Sequence, residues 1–181
     1  IAALNIVNTA KGTFFLADTL VNNHPSVETL EEIVKLTNDS VKIFNVDPVI
    51  AMLSYSNFGA DNTGSPVTVH KAVENLHKNH PEILVDGEMQ VNFALDKDLR
   101  SATYPFSKLE GKDVNTLIFP NLSSANITYK TLLSMGLAEN VGPVQMGLKK
   151  PIYVCEPEAS VRDIMNIVTI AVIDAQINGK K

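Results

Sequence analysis

Short apolar runs alternate with longer stretches of helical periodicity throughout this 181-residue chain, and that alternation predicts an α/β fold. The apolar runs lack the polar alternation of a half-exposed strand, so both strand faces should be buried, as in a mostly parallel sheet covered by helices on each side. About 45% of the residues are apolar, and a chain of this length buries roughly 70% of the surface its unfolded form exposes. The expected architecture is a three-layer α/β/α sandwich with a mostly parallel sheet.

The chain enters an apolar run at once (Ile1, Ala2, Ala3, Leu4), which reads as a cut through a larger protein. Residues 13–18 form an aromatic-rich buried strand that ends at Asp18 and Thr19. A helix should follow. Ser26 is placed as its N-cap, Glu28, Glu31 and Glu32 load its first turns, and Val27, Leu30, Val34, Val41 and Phe44 share one face. Residues 49–54 give a second strand, followed by a polar loop over 55–65 and a helix that starts at Ser65 and Pro66. Its stripe is Val69, Val73 and Leu76. A third strand over 83–86 ends at Asp86, Gly87 and Glu88, a helix is expected near 91–100, and a fourth strand over 114–119 ends at Pro120 and Asn121. The next helix, over 125–135, should stop at Gly136 as its C′ glycine. A glycine-rich loop over 142–147 then leads to a short strand at 152–154, and a last helix runs over 160–177. That helix is apolar nearly all round, so it should be sandwiched.

Composition narrows the function. Fifteen basic against twenty acidic residues leave a net charge of −5, with no basic run longer than two, which argues against a nucleic-acid footprint or a membrane-surface patch. No apolar stretch approaches the roughly 20 residues of a membrane-spanning helix. Only Arg100 and Arg162 can offer the two-pronged guanidinium clamp suited to phosphate or carboxylate. Cys155 is the single cysteine, which precludes an internal disulfide, reads as an apolar filler and fits a cytoplasmic location. The four histidines lack a metal-ligand grouping, and His77 and His80 read as helix-end residues. No metal site is expected, and no dinucleotide, triphosphate-loop, zincin or nucleophile-elbow motif is present.

In a parallel sheet, ligands bind outside the carboxyl ends of the strands. The loops at Asp18, 54–59, 86–88 and 120–126 should therefore share one rim. Ser54, Ser56, Asn57 and Gly59 can offer hydroxyls and backbone N–H groups to an anion, or can form a solvated connector. Asp86 and Glu88 can serve acid/base chemistry or simply open a turn. Lys130, Lys149 and Lys150 are the positive groups placed near the rim, and the commoner reading of each is a solvated surface charge. Ser160 and Asp163 fit a capping box at the start of the last helix, which accounts for Asp163 without catalysis.

Four ordered blocks go further. Residues 117–130 (through Phe119, Pro120, Asn121, Ser124, Asn126 and Lys130), 85–90, 142–151 and 163–166 resemble the phosphotransacetylase family. Blocks 11–19 and 54–59 resemble more closely a subgroup in which a phosphotransacetylase-like domain forms the C-terminal half of bacterial NADP-dependent malic enzymes. The resemblance implies an isocitrate/isopropylmalate dehydrogenase-like fold of two α/β/α subdomains, of which this chain holds the second. Residues 1–12 would connect the subdomains, 13–150 would form the second, and 151–181 would return as a strand and helix toward the first. It implies acetyl-CoA or CoA, or a related acyl-CoA or acyl phosphate, as ligand, with Ser54, Ser56, Asn57, Gly59, Asp86, Asn121, Ser124, Asn126 and Lys130 at the site. Asp163 would be the catalytic base if the chain turns over. NADP and a divalent metal would belong only to the malic-enzyme half, and the chain would self-associate as a homodimer or higher oligomer.

Departures from the family pattern bear on turnover. Glu156 and Pro157 stand where phosphotransacetylases carry a Ser-Arg pair, Asn57, Phe58 and Gly59 replace a Thr-Lys-Gly step, and Asn121 and Ala125 replace Asp and Gly. A carboxylate at 156 would repel acetyl phosphate. The expected function is a regulatory and oligomerising domain that senses acetyl-CoA without transferring acetyl. An active phosphate acetyltransferase and a purely structural dimerisation module are the alternatives.

Overall fold

The computed structural model describes residues 1–150, 152–155 and 159–178. Residues 1–12, expected as a connection, contain β1 (Ala2–Thr9), whose first six residues are buried. Ala10 and Lys11 turn straight into β2 (Gly12–Ala17), and a two-residue link can join only antiparallel neighbours. Leu4 accordingly lies opposite Ala17, and Thr9 opposite Gly12.

β3 (Ile50–Leu53), β4 (Val85–Met89), β5 (Thr116–Ile118) and β6 (Ala138–Met146) complete a six-stranded sheet in the order β4-β3-β5-β2-β1-β6. The β4/β3, β3/β5 and β5/β2 pairs are parallel, whereas β1 is antiparallel to both its neighbours. The sheet is thus mixed: the β1/β2 hairpin inserts one reversed strand among five that run in the same direction, as the expected mostly parallel sheet does. β6 occupies the stretch expected as a glycine-rich loop, and no strand forms at 152–154. Gly142 and Pro143 read as chain breakers, but at a sheet edge a proline without an N–H is tolerated.

Side chains alternate between two cores, as a pleated strand requires. Phe15 and Ala17 face one core and Leu16 the other; Ile50 and Met52 alternate in the same way with Ala51 and Leu53. The first core is closed by α1 (Val27–Ile43) and α2 (Gly64–Asn79). Ser26 caps α1 by accepting from the Thr29 N–H at 3.3 Å, and the buried face is Leu30, Ile33, Val34, Thr37, Asn38 and Val41. The second core is closed by α3 (Val91–Leu95) and α5 (Leu122–Ser134). The single helix expected near 91–100 breaks at Asp96, which caps α4 (Lys97–Thr103) by accepting from the Leu99 N–H at 2.9 Å. Gly136, at φ 67°, ends α5 as the expected C′ glycine.

α6 (Val161–Asn178) packs beside β6 and buries Ile167 and Ile170, but Val161, Ile164, Met165, Val168, Val172, Ile173 and Ile177 are exposed. The expected sandwiching does not occur within this chain. Cys155 is exposed rather than a core filler. None of the described helices is long and apolar enough to cross a membrane.

Candidate functional site

The carboxyl ends of the parallel strands β2, β5, β3 and β4 lie side by side, so the loops that follow them share one edge of the sheet. Each is tied down by its own hydrogen bonds. After β2, the buried Asp18 accepts from the N–H groups of Ala3, Leu20, Val21 and Asn22 and from the Asn22 side chain. A carboxylate with so many donors orders the turn that follows it.

After β3, the 54–59 loop folds onto the end of β4. Ser54 N–H donates to Met89 O, Phe58 N–H to Glu88 O, and Gln90 N–H to the Asn57 side-chain oxygen at 2.8 Å. Inside the loop, Ser54 Oγ accepts from Ser56 N–H, and the buried Ser56 Oγ accepts from Asp61 N–H. Gly59 N–H donates to Glu88 Oε1 at 2.8 Å. The backbone donors at 56, 58 and 59, expected to face an anion, are therefore already spent on the protein. Phe58 adopts φ 47°, unusual for a residue with a side chain. Its ring packs 4.8 Å from Tyr104 and 5.1 Å from Phe106, centroid to centroid, which holds that conformation. At the outer side of the loop, hydrogen bonds from Thr63 and Tyr55 hold the Asp61 carboxyl below its usual range.

Asp86 and Glu88, expected just beyond a strand end, lie inside β4. Gly87 carries the strand through, because a Cβ at this position would sit 2.5 Å from Met52 O. Asp86 is buried and accepts from Ser107 Oγ and Lys108 N–H, each at 2.8 Å. Its carboxyl anchors the 104–109 turn instead of opening onto the rim.

After β5, Asn121 caps α5 by accepting from Ser124 N–H at 2.9 Å, and Ser124 Oγ donates back to Asn121 O. Asn126 and Lys130 follow on the same helix, with the Lys130 ammonium 5.4 Å from the Tyr129 ring centroid.

Asp163 lies elsewhere, at the start of α6. Ser160 N–H and Oγ both donate to Asp163 Oδ2, at 2.9 and 2.6 Å, and Asp163 N–H donates to Ser160 Oγ. The capping box forms as the spacing implies. The Ser160 hydrogen bonds hold the Asp163 carboxyl below the usual aspartate range. Asp163 borders a cavity of about 240 Å³ with Tyr129, Leu133, Asn140, Gly142, Pro143, Ala159 and Ile167. Tyr129 and Asn140 were not legible as site residues, since Tyr129 is a core residue by pattern and Asn140 precedes a segment that reads as a loop. Asn140 Nδ2 donates to Tyr129 OH at 3.1 Å, while its buried Oδ1 has no partner among the described residues. That oxygen has essentially no accessible surface, so it is an unpaired buried acceptor and not a group presented to the cavity. The candidates thus fall into two groups, the 54–59 loop with the α5 cap on the rim and Asp163 in this cavity.

Both guanidiniums are engaged. Arg100 is fully buried and donates to four backbone carbonyls, whereas Arg162 pairs on the surface with Glu139 at 2.8 Å. Lys149 and Lys150 line a separate cavity of about 310 Å³ at the end of β6, with Tyr153 and Asp174. Glu156 and Pro157, the substituted Ser-Arg positions, lie outside the described residues. Among the described residues no trio of His, Cys, Asp or Glu side chains converges to hold a metal.

Comparison with known proteins places this geometry. The chain is 40% identical over 175 residues to the NADP-dependent malic enzyme of Escherichia coli strain K12, covering 96% of this chain and 23% of that protein. It is 35% identical over 167 residues to the phosphate acetyltransferase of Clostridium acetobutylicum, covering 92% of this chain and 50% of that protein. The structure superposes on a phosphotransacetylase from Streptococcus pyogenes with a TM-score of 0.88 at 30% identity, over 99% of this chain and 54% of that one. The chain thus spans about a quarter of the malic enzyme and about half of the transferases. Residues 1–172 match the phosphate acetyl/butaryl transferase family, and the chain belongs to it.

Proposed function

We propose that this chain is the phosphotransacetylase-like portion of an NADP-dependent malic enzyme and binds acetyl-CoA as a regulatory and oligomerising domain, without acetyl transfer. The observation that carries this reading is the 40% identity to the E. coli malic enzyme across 96% of the chain. Three features of the site support it. Asp163 is locked into a helix cap and its carboxyl is held acidic, which makes it a weak proton acceptor. The Arg100 guanidinium is buried on backbone carbonyls, and that of Arg162 is paired on the surface with Glu139. The amides of Ser54, Phe58 and Gly59 are closed onto β4.

On this reading the cavity of about 240 Å³ lined by Tyr129, Asn140 and Asp163 would take part of the pantetheine arm. When bound, acetyl-CoA supplies differential affinity: it favours one arrangement of the assembly by about 1–3 kcal/mol. NADP and a divalent metal belong on this reading to the malic-enzyme half, where malate would be oxidised and decarboxylated to pyruvate. The same reading places the protein in the cytoplasm, as a homo-oligomer, with its complete two-subdomain unit arranged as in isocitrate and isopropylmalate dehydrogenases.

Calorimetric titration of acetyl-CoA into the full-length protein tests the proposal. Binding with a change in malic-enzyme rate is expected; no heat at millimolar ligand together with an unchanged rate refutes it. A second reading, an active phosphate acetyltransferase, is favoured by the 35% identity to the C. acetobutylicum enzyme and by the opening of Asp163 onto a cavity. CoA-dependent consumption of acetyl phosphate that disappears in Asp163→Ala would establish it in place of the first.

A further inference from the structure

We propose that Glu88 and His70 form a two-point clamp that positions the 54–59 loop for its ligand; the inference rests on the reading of that loop as part of the ligand-binding rim. Glu88 is fully buried in β4. A buried carboxyl group is costly unless its oxygens find donors, and here each oxygen has one from a different element. Oε1 accepts from Gly59 N–H at 2.8 Å, and Oε2 is hydrogen-bonded to His70 Nδ1 of α2 at 2.9 Å. One side chain therefore joins β4, α2 and the far end of the loop.

The ring of His70 also closes over the glycine. A Cβ at Gly59 would lie 3.7 Å from His70 Cε1, and Gly59 takes φ 80° directly after Phe58 at φ 47°. Two successive left-handed residues turn the Gly59 N–H inward to the carboxyl group. On its other side, His70 Nε2 faces Glu74 at 3.7 Å, and Glu74 is itself held by Lys71 at 2.7 Å. The remaining side-chain ties of the loop to the end of β4, from Gln90, reach Tyr55 and Asn57, and Phe58 N–H donates to Glu88 O at 2.7 Å. The Glu88 and His70 pair fixes the last residue of the loop, and it engages the Gly59 amide, which could otherwise meet an incoming anion. Ser54 and Asn57, both partly exposed, are then the groups the loop offers to a ligand through their side chains.

Glu88 and His70 are positioning residues, and three variants of the full-length protein test them by hydrogen–deuterium exchange across residues 54–61 with acetyl-CoA titration alongside. Glu88→Ala and His70→Ala should each speed exchange of this segment about tenfold and weaken acetyl-CoA binding several-fold. Glu88→Gln keeps an acceptor for Gly59 N–H and should restore exchange to near the wild-type rate, a rescue that a general loss of packing would not give. His70→Ala is the informative variant should Glu88→Ala fail to fold, because the His70 side chain is 40% exposed. Unchanged exchange in a folded His70→Ala protein overturns the clamp. Faster exchange with unchanged acetyl-CoA affinity overturns the ligand-positioning role and removes the loop from the binding site, while a protein that binds no acetyl-CoA in any form refutes the functional reading alone.

Discussion

Arg100 offers the sharpest test of how this fold is held. The side chain is fully buried, and its Nη1 donates to Phe93 O at 2.7 Å and Ala94 O at 2.9 Å. Nη2 donates to Leu109 O at 2.8 Å and to Lys112 O. The guanidinium thus joins α3 and α4 to the 107–112 turn, which Asp86 grips from the other side. Burial pulls its pKa below the ordinary arginine value, with Asp113, Asp86 and Asp96 pushing back. Replacing it with methionine keeps much of the volume and removes a donor from four carbonyls. Leu109 O keeps the Lys112 N–H at 3.1 Å, and those of Phe93 and Lys112 are reachable by water, so one orphan remains, Ala94 O, at about 1–3 kcal/mol. Relief of the guanidinium's own desolvation offsets part of that, since Nε has no partner among the described residues. The net loss for Arg100→Met should be about 2 kcal/mol, a sizeable share of the roughly 5–15 kcal/mol of a typical domain. Arg100→Lys should cost about 1 kcal/mol, because a single ammonium cannot span the fork. Urea unfolding gives the magnitude, and hydrogen exchange over 104–112 gives the location. A loss below about 1 kcal/mol for Arg100→Met would refute the reasoning, for it would mean that water reaches Ala94 O as well.

Two further expectations concern β4 and α6. Gly87→Ala would place a Cβ 2.5 Å from Met52 O and 3.2 Å from Met52 Cβ at φ 145°, so β3 and β4 must part. A loss of about 2–4 kcal/mol by thermal melting is expected, and a melt within 1 kcal/mol of wild type would contradict the close approach. At the start of α6, Asp163→Asn should weaken the cap slightly, on the order of 0.5 kcal/mol given its exposure to solvent. Because hydrogen bonds from Ser160 lower the folded-state pKa of Asp163, its stabilisation is complete above the unfolded value of about 3.9. It is lost as pH falls through the lower folded value. A wild-type minus variant difference that persists unchanged to pH 2 would exclude this account.

The elements that were legible in the sequence are those whose stability is local. Ser26 with Glu28 marks the start of α1 and Gly136 the end of α5, because caps and C′ glycines act within a turn of their own position. Elements misread were those decided by distant partners. Gly87 and the pair Gly142 and Pro143 look like breakers, yet β3 receives the first as a close neighbour and a sheet edge tolerates the second. β1 reads as a connection until the Ala10–Lys11 turn pairs it with β2, a choice made by register rather than by composition. The apolar wrap of α6 is visible in its sequence, but whether a partner covers it depends on more than the chain itself contains.

The site was harder to read than the fold for a related reason. Residue type shows which groups can bind a ligand, and only hydrogen-bond accounting shows which of them remain available. Gly59 supplies an amide to Glu88, Asn121 caps α5, Asp86 anchors a turn and Arg100 is shared among four carbonyls. Each was a reasonable candidate by chemistry, and each is engaged with the protein itself. The Ser54 and Asn57 side chains on the rim stay accessible, as does the cavity beside Asp163, which no motif marks. A site whose buried arginine and best-placed loop amides serve the scaffold has less left with which to stabilise charge developing on a phosphoryl or acyl group. It can still hold a ligand by shape and a few polar contacts, and that balance is why binding is favoured here over turnover.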